Sequence, residues 1–235
     1  MKKMIITEKP NVARNYVEAL GYDPKDHFYS GYYVCGGWII VNSFGHLFML
    51  NEPEDYSETM KYWDLDKLPI IPKEFKKKSI QTAGIQKQIN IIKKAFKEDS
   101  IDEVIIATDA DREGELIGRE IIEELGFFGQ EGVSFSRIWS SKTMTSSIIQ
   151  EELENRKPLS EFDDLAFQAK MRERMDWLNG INYTRLLTKV FNDLCTFGRV
   201  QSCLLNILFN REREIILFKD FTYYGNAFDF QGLTF

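Results

Sequence analysis

Val104-Ile105-Ile106-Ala107-Thr108-Asp109-Ala110-Asp111-Arg112-Glu113-Gly114-Glu115 is the stretch that decides the fold. Val104–Ala107 is a continuous apolar run, as a parallel strand buried on both faces requires. A helix is expected from about Glu113 to Leu125, with Gly126 behind it as a C-terminal stop. Strand, polar turn and helix make half of a βα unit, and open α/β sheets place their ligands outside the C-terminal ends of such strands. Four carboxylates fall within the seven residues 109–115. In extended geometry Asp109 and Asp111 point the same way, so both reach one hard cation. Mg²⁺ fits that chemistry, because it takes oxygen ligands and keeps several waters when one or two carboxylates hold it beside a phosphate. A cation also removes the repulsion that two such close carboxylates would otherwise feel. An acidic run opening a helix also complements the helix dipole, by about 0.3–1 kcal/mol per charge. That accounts for Glu113 and Glu115 as well as a catalytic role does, but less well for Asp109 and Asp111, which precede the helix. Arg112 can pair internally or hold a phosphate bidentately.

Outward from this segment, Met4–Thr7 reads as a strand, and Pro10 opens a helix carrying Val12, Tyr16 and Ala19 at helical spacing before Gly21. Glu8 and Lys9 sit at the end of that first strand. If it neighbours Val104–Ala107 in a parallel sheet, Glu8 arrives beside the aspartates; a simple helix-start acid is the plainer alternative. Tyr32–Val34 and Trp38–Val41 flank Cys35-Gly36-Gly37 as a hairpin. Residues 51–82, rich in Pro, Asp and Lys, read as a long surface excursion. Ile85, Ile89, Ile92 and Phe96 form one face of a helix. Val133–Ile138 is a further strand, followed by a helix that Ser141 or Thr143 caps and that ends near Asn155. This alternation is an α/β domain, with a boundary near residue 156. Beyond Lys157-Pro158 the spans Phe162–Asn179 and Val200–Glu214 read as amphipathic helices with no strand between them. Phe221–Phe230 alternates as a half-buried strand that needs a partner.

Composition narrows the class. With 235 residues, 43% hydrophobic and 14% aromatic, the chain can bury one large core or two modest ones, which excludes global disorder and low-complexity repeats. The N-terminal apolar run is too short for a signal-peptide core or a membrane span, so the expected location is cytoplasmic. Three cysteines without a CxxC pair argue against a disulfide framework and a cysteine zinc site. The net charge of −6 speaks against a polyanionic partner until it is divided. Residues 166–219 hold nine Lys/Arg against five Asp/Glu, and the remainder holds 21 against 31. A basic stripe in an acidic chain is an acceptable footprint for a polyanion, although basic runs are also ordinary solvated helix faces.

With these segments placed, the chain resembles type IA DNA topoisomerases, most closely the bacterial topoisomerase III type, beginning with their TOPRIM domain. The resemblance rests on Glu8-Lys9-Pro10 and on Asp109-Ala110-Asp111-Arg112-Glu113-Gly114-Glu115. It continues through Gly45-His46-Leu47, Tyr62-Trp63-Asp64-Leu65, Leu68-Pro69-Ile70-Ile71-Pro72 and Ala169-Lys170-Met171-Arg172. It closes with Asp176-Trp177-Leu178-Asn179-Gly180, Gly198-Arg199-Val200-Gln201-Ser202 and Arg211-Glu212-Arg213-Glu214-Ile215. Such enzymes cut one strand by transesterification to a tyrosine, pass another strand through and reseal, with Mg²⁺ and without ATP. The resemblance implies an α/β TOPRIM domain over 1–156. A mostly helical, winged-helix-like DNA-binding domain over 157–216 and the first strand of a gate domain over 217–235 follow. It implies that Glu8, Asp109, Asp111 and Glu113 hold Mg²⁺, with Glu8 either a ligand or a general acid/base. Lys9 would be the transition-state cation, Arg172 the contact to the scissile phosphate, and Asp176 the group orienting that phosphate or a base. Arg112, Arg199 and Gln201 would contact DNA, and His46 would lie near the active site. Arg172 and Asp176, four apart on one helix face, otherwise read as an ordinary surface pair, and His46 as a structural histidine in a glycine turn.

Two departures from the family's pattern follow. Ala110 stands where the family has proline between the aspartates; that proline stiffens the loop and does no chemistry. The family's nucleophile lies in a Tyr-x-Arg-Thr segment, which none of the ten tyrosines here provides. Tyr183-Thr184-Arg185 is a look-alike at a helical position where the family has no nucleophile. The resemblance therefore implies the N-terminal portion of a longer isomerase, competent to bind Mg²⁺ and single-stranded or underwound DNA at the nucleoid, and inactive in cleavage alone. A helicase is a further implied partner, and a membrane is not. A TOPRIM nuclease or primase, using the same carboxylates for hydrolysis or nucleotide addition, and a module that only binds DNA are the other readings. The Asp176 and Arg199 blocks argue against the nuclease or primase.

Overall fold

Residues 2–98 and 100–234 are described by the computed structural model. The chain opens with β1 (Lys3–Thr7) and α1 (Pro10–Ala19). Next come β2 (Phe28–Tyr29), β3 (Tyr32–Cys35) and β4 (Trp38–Asn42). The hairpin of β5 (Phe48–Leu50) and β6 (Lys77–Ser79) precedes α2 (Ala83–Glu98). Then follow β7 (Glu103–Ala107), α3 (Arg112–Glu124), β8 (Ser134–Arg137), α4 (Ser146–Glu154) and β9 (Lys157–Pro158). Two long helices, α5 (Asp163–Phe191) and α6 (Arg199–Ile216), lead to the small hairpin of β10 (Asp229–Phe230) and β11 (Leu233–Thr234).

Seven strands form one sheet in the order β2-β3-β4-β1-β7-β8-β9. The inner four run parallel, and the outer pairings are antiparallel. Strand β1 pairs with β4 on one side and β7 on the other, setting Thr7 opposite both Asn42 and Ala107. From β1 the chain moves outward to β4, then crosses back over β1 to β7. The crevice between β1 and β7 is thus the topological switch point, and Glu8 and Asp109 arrive there from adjacent strands.

Period-two alternation distributes the core. Met4, Ile6, Val104 and Ile106 pack beneath α2 and α3, while Ile5 and Ile105 pack beneath α1 and α4. Each fully buried Ile contributes about 1.5–3 kcal/mol, so the three-layer sandwich is held mainly by this doubly covered sheet. A Cβ on Gly118 would lie 2.4 Å from Ile106 Cγ2. Glycine there lets α3 lie close on the end of β7.

Several expectations change. The 51–82 excursion clamps α5 to the sheet domain. Trp177 Nε1 donates to Asn51 O at 3.1 Å, and the Asn182 amide pairs with both backbone groups of Ile70 at 2.6 and 3.0 Å. Arg185 Nη1 donates to Met60 O at 2.6 Å. Helix α5 runs through Gly180, because this clamp and the packing on α3 hold it on both sides of the glycine. Helix α4 starts at Ser146 with Thr145 as its N-cap residue, leaving Ser141 and Thr143 in the preceding loop. Among the described residues, α5 and α6 are joined without a strand, so the helical expectation for this region stands and no wing accompanies it. The strand expected over Phe221–Phe230 is reduced to Asp229–Phe230. Among the described residues no neighbouring sheet edge meets the rest, and its aromatic side chains are exposed.

Candidate active site

Beyond Ala107 the chain bends, so Asp109 and Asp111 do not extend the strand as expected, and each takes a separate task. Asp111, extended at φ −146°, turns its carboxylate into the first turn of α3, where Oδ1 accepts from Gly114 N at 2.7 Å. Asp109 faces the switch point, where Lys9 Nζ donates to its Oδ2 at 2.6 Å and lies 3.6 Å from Glu8 Oε1. The hydrogen bond to Asp109, with the charge of Glu8 adding to it, holds the Lys9 ammonium above its ordinary range. The loop can fold this tightly because residue 114 is glycine: a Cβ there would lie 2.2 Å from Asp109 O.

A buried arginine ties the loop from below. Arg137 is wholly buried at the end of β8. It donates to the carbonyls of Thr108 and Ile138 at 2.8 Å and of Asp109 at 2.7 Å, and to Glu115 Oε2 at 2.9 Å. Glu115, also fully buried, accepts from Arg119 Nε at 2.8 Å. Glu115 is therefore a structural anchor of the acidic loop, and its first-turn position on α3 is secondary. Arg137 was missed in the sequence, although it shares strand parity with Val133 and Phe135 and so had to point inward with a charge. Glu115 and Arg119, four apart, were a second signal.

On the other side of α3, Glu113 meets His46. Nε2 of the imidazole lies 2.7 Å from Glu113 Oε1 and Nδ1 lies 3.0 Å from Glu120 Oε2. The hydrogen bond to Glu120, reinforced by Glu113 against the opposing effect of burial, pushes His46 up to about 9. Across the cleft, Arg199 grips Asp176 through Nε at 2.9 Å and Nη2 at 3.3 Å, and Arg172 Nε lies 3.8 Å from the same carboxylate. The bond to Arg199 holds Asp176 below the usual carboxylate range. Gln201 donates to Thr196 Oγ1 at 3.1 Å. A cleft of about 390 Å³ between the sheet domain and α5 is lined by His46, Arg112, Glu113, Arg172 and Asp176. It unites five of the residues singled out from sequence; Glu8, Lys9, Asp109 and Asp111 gather at the strand ends, and Gln201 sits on α6.

Among the described residues no three Asp, Glu, His or Cys side chains stand close enough together to hold a metal ion as they are. Asp111 is engaged by the helix and Glu113 by His46. The donor set still fits a hard cation. Glu8 and Asp109 already share a positive charge, that of Lys9, which lies 3.6 Å from Glu8 Oε1 and 2.6 Å from Asp109 Oδ2.

Residues 3–141 match the family model described as Toprim domain, and residues 160–232 match the model described as DNA topoisomerase. The chain belongs to the Toprim family. The second segment adds a likeness to part of the DNA topoisomerases. DNA topoisomerase 3 of Bacillus thuringiensis (strain Al Hakam) is 38% identical over 224 residues, covering 95% of this chain and 29% of that protein. DNA topoisomerase 3 of Staphylococcus aureus (strain MRSA252) is 35% identical over 235 residues, covering 100% and 32%. The chain thus spans about a third of the length of these relatives. The full-length topoisomerase I structure from Thermotoga maritima superposes with a TM-score of 0.61 at 24% identity, covering 92% of this chain and 31% of that one, and so supports the fold. Toprim domains bind metal, which agrees with the acidic switch point. No described helix is long and apolar enough to cross a membrane.

Proposed function

We propose that this chain supplies the metal-binding and strand-gripping part of an ATP-independent DNA topoisomerase that cuts, passes and reseals single strands. Glu8, Asp109, Asp111 and Glu113 would hold Mg²⁺ once Asp111 and Glu113 swing from their present partners. Bound there, the cation would offset negative charge at a scissile phosphodiester. Lys9 carries a second positive charge at the same switch point and stabilises charge as the ester oxygen leaves. Arg172 takes the scissile phosphate as a guanidinium fork does, and Asp176 orients it. Arg199 and Gln201 receive the flanking backbone at the N-terminus of α6. Arg112 and His46 meet the strand along the cleft wall. None of the ten tyrosines is assigned the covalent step, Tyr183 included: its ring packs 4.8 Å from that of Phe197.

The division proposed is a Toprim domain over 1–156, a helical DNA-binding domain over 157–216 and the beginning of a gate domain over 217–235. Single-stranded or underwound DNA is the proposed substrate, with a helicase as a further partner, in the cytoplasm at the nucleoid. The observation that carries the reading is the cleft in which Arg112, Glu113 and His46 of one segment face Arg172 and Asp176 of the other. Its test is calorimetric titration with Mg²⁺. Joint replacement Asp109→Ala and Asp111→Ala should abolish metal binding and leave metal-free oligonucleotide binding, measured in EDTA, in place. Unchanged Mg²⁺ binding in that variant refutes the assignment. A metal-dependent nuclease or primase would share the carboxylates but leave Arg172, Asp176 and Arg199 without a task.

A further inference from the structure

A row of charges leaves the cleft at Glu113 and His46, passes through residues buried behind its lining and returns to it at Glu173, and its buried members have no part in the chemistry above. From Glu113 it passes through His46 to Glu120, whose side chain is 1% exposed, and then to Lys77, 10% exposed. Lys77 Nζ bonds Glu120 and also donates to both carboxylate oxygens of Glu173 at 2.7 and 2.8 Å. Three elements meet here. Lys77 lies on β6, whose partner β5 begins two residues after His46. Glu113 and Glu120 share one face of α3, two turns apart, and Glu173 adjoins Arg172 on α5.

Buried like charges repel unless a counter-charge sits between them. Without the ammonium, Glu120 and Glu173 would confront each other across the contact of α3 with α5. Burial already pushes the Glu173 carboxyl up, and Lys77 is the main group that opposes it, with His46 adding a smaller share. The Lys170 pair with Glu123, at 2.6 Å, joins the same two helices farther from the cleft and does not touch Glu120.

We propose that Lys77 is a positioning residue: by pinning Glu173 of α5 to Glu120 of α3 it sets the distance between the acidic metal cluster and the Arg172–Asp176 phosphate grip. The proposal rests on the functional reading above. It has a consequence that a merely structural ion pair lacks. The metal cluster reaches the cleft through Glu113 on α3, and the Arg172–Asp176 grip stands across it on α5, so metal and strand should each strengthen the other only while that spacing is held.

The test measures binding of a labelled single-stranded oligonucleotide with Mg²⁺ and with EDTA, and Mg²⁺ binding without DNA. In the unaltered chain Mg²⁺ should tighten oligonucleotide binding by about tenfold, within the usual range of coupling between sites. In Lys77→Met this enhancement should fall below about twofold, while each ligand alone binds within about threefold of the unaltered chain. Lys77→Arg, which keeps the charge, should restore most of the enhancement. If Lys77→Met does not fold, Glu173→Gln carries the test with the same expected loss. A folded variant that keeps the full enhancement overturns the proposal. So does one that loses both separate affinities together with thermal stability, because that marks a purely structural pair. Failure of the unaltered chain to bind either ligand refutes the functional reading instead, and the proposal with it.

Discussion

Replacing Arg137 by Met should loosen the acidic loop and destabilise the fold at once. The guanidinium is wholly buried and donates to the carbonyls of Ile106, Thr108, Asp109 and Ile138 as well as to Glu115. Methionine fills similar space but leaves Glu115 one cation short and three loop carbonyls without this donor. Breaking one side of a buried ion pair costs about 3–5 kcal/mol. Arg119 stays on Glu115 at 2.8 Å, so the lower end, about 3 kcal/mol, is expected for the charge. Each orphaned buried carbonyl adds about 1 kcal/mol or more. Against a total stability of about 5–15 kcal/mol the variant should remain folded but marginal. Urea denaturation followed by circular dichroism would show a midpoint shift equivalent to about 6 kcal/mol, the charge and the three carbonyls together, at an unchanged slope. Combining Arg137→Met with Glu115→Leu should recover part of the loss, since the buried carboxylate left one cation short is then gone while Arg119 keeps Asp163 at 2.8 Å. A shift under about 1 kcal/mol in the single variant, or no coupling in the double one, would show that the buried network does not hold the loop.

Three further outcomes are expected. Gly114→Ala places a methyl 2.2 Å from Asp109 O, so the loop must move, and calorimetry should show Mg²⁺ affinity reduced about tenfold or more, as a positional error of about 1 Å in a built site warrants. Asp111→Ala should lose both the helix cap, costing about 0.5–2 kcal/mol, and the metal, whereas Asp111→Asn should keep the cap and lose only metal affinity; equal melting temperatures for the two would argue against the cap. Burial pushes the Glu103 carboxyl up, but Arg156, bidentate at 2.6 and 2.8 Å, and the Ser136 hydroxyl outweigh it and hold the group below its ordinary value. A depressed carboxylate contributes stability that is complete above its unfolded pKa, about 4.3, and is lost as pH falls through the folded value. The stability gap between the unaltered chain and Arg156→Met should therefore be present at neutral pH and close in acid, which paired urea titrations at the two pH values would check; a gap that does not change with pH contradicts the assignment.

The sheet was legible because its strands are apolar runs bounded by turn residues, and the expected Met4–Thr7 and Val104–Ala107 match β1 and β7 to within a residue. The turn at Gly36-Gly37 was legible for a geometric reason: both glycines take positive φ, 55° and 87°. Local pattern failed where tertiary contacts decide. Gly180 looked like a helix end, and Asn182 and Arg185, gripped by the backbone of the 51–76 segment, keep α5 going past it. The acidic cluster could be read as a ligand site, but not the bend that gives Asp109 to Lys9 and Asp111 to the helix. Lys77, Glu120 and Glu173 carried no sequence signal, because their charges meet only through the packing of three elements distant in the chain.

The measurement closest to the central claim is the salt dependence of single-stranded oligonucleotide binding by this acidic chain, followed by fluorescence anisotropy in the presence of Mg²⁺. Phosphate contacts from the basic stripe predict that log affinity falls linearly with log salt. Arg172→Gln and Arg199→Gln should each flatten the slope by about 0.7, the share of one phosphate contact on a single strand. Binding that ignores salt, or slopes unchanged in both variants, would contradict the account.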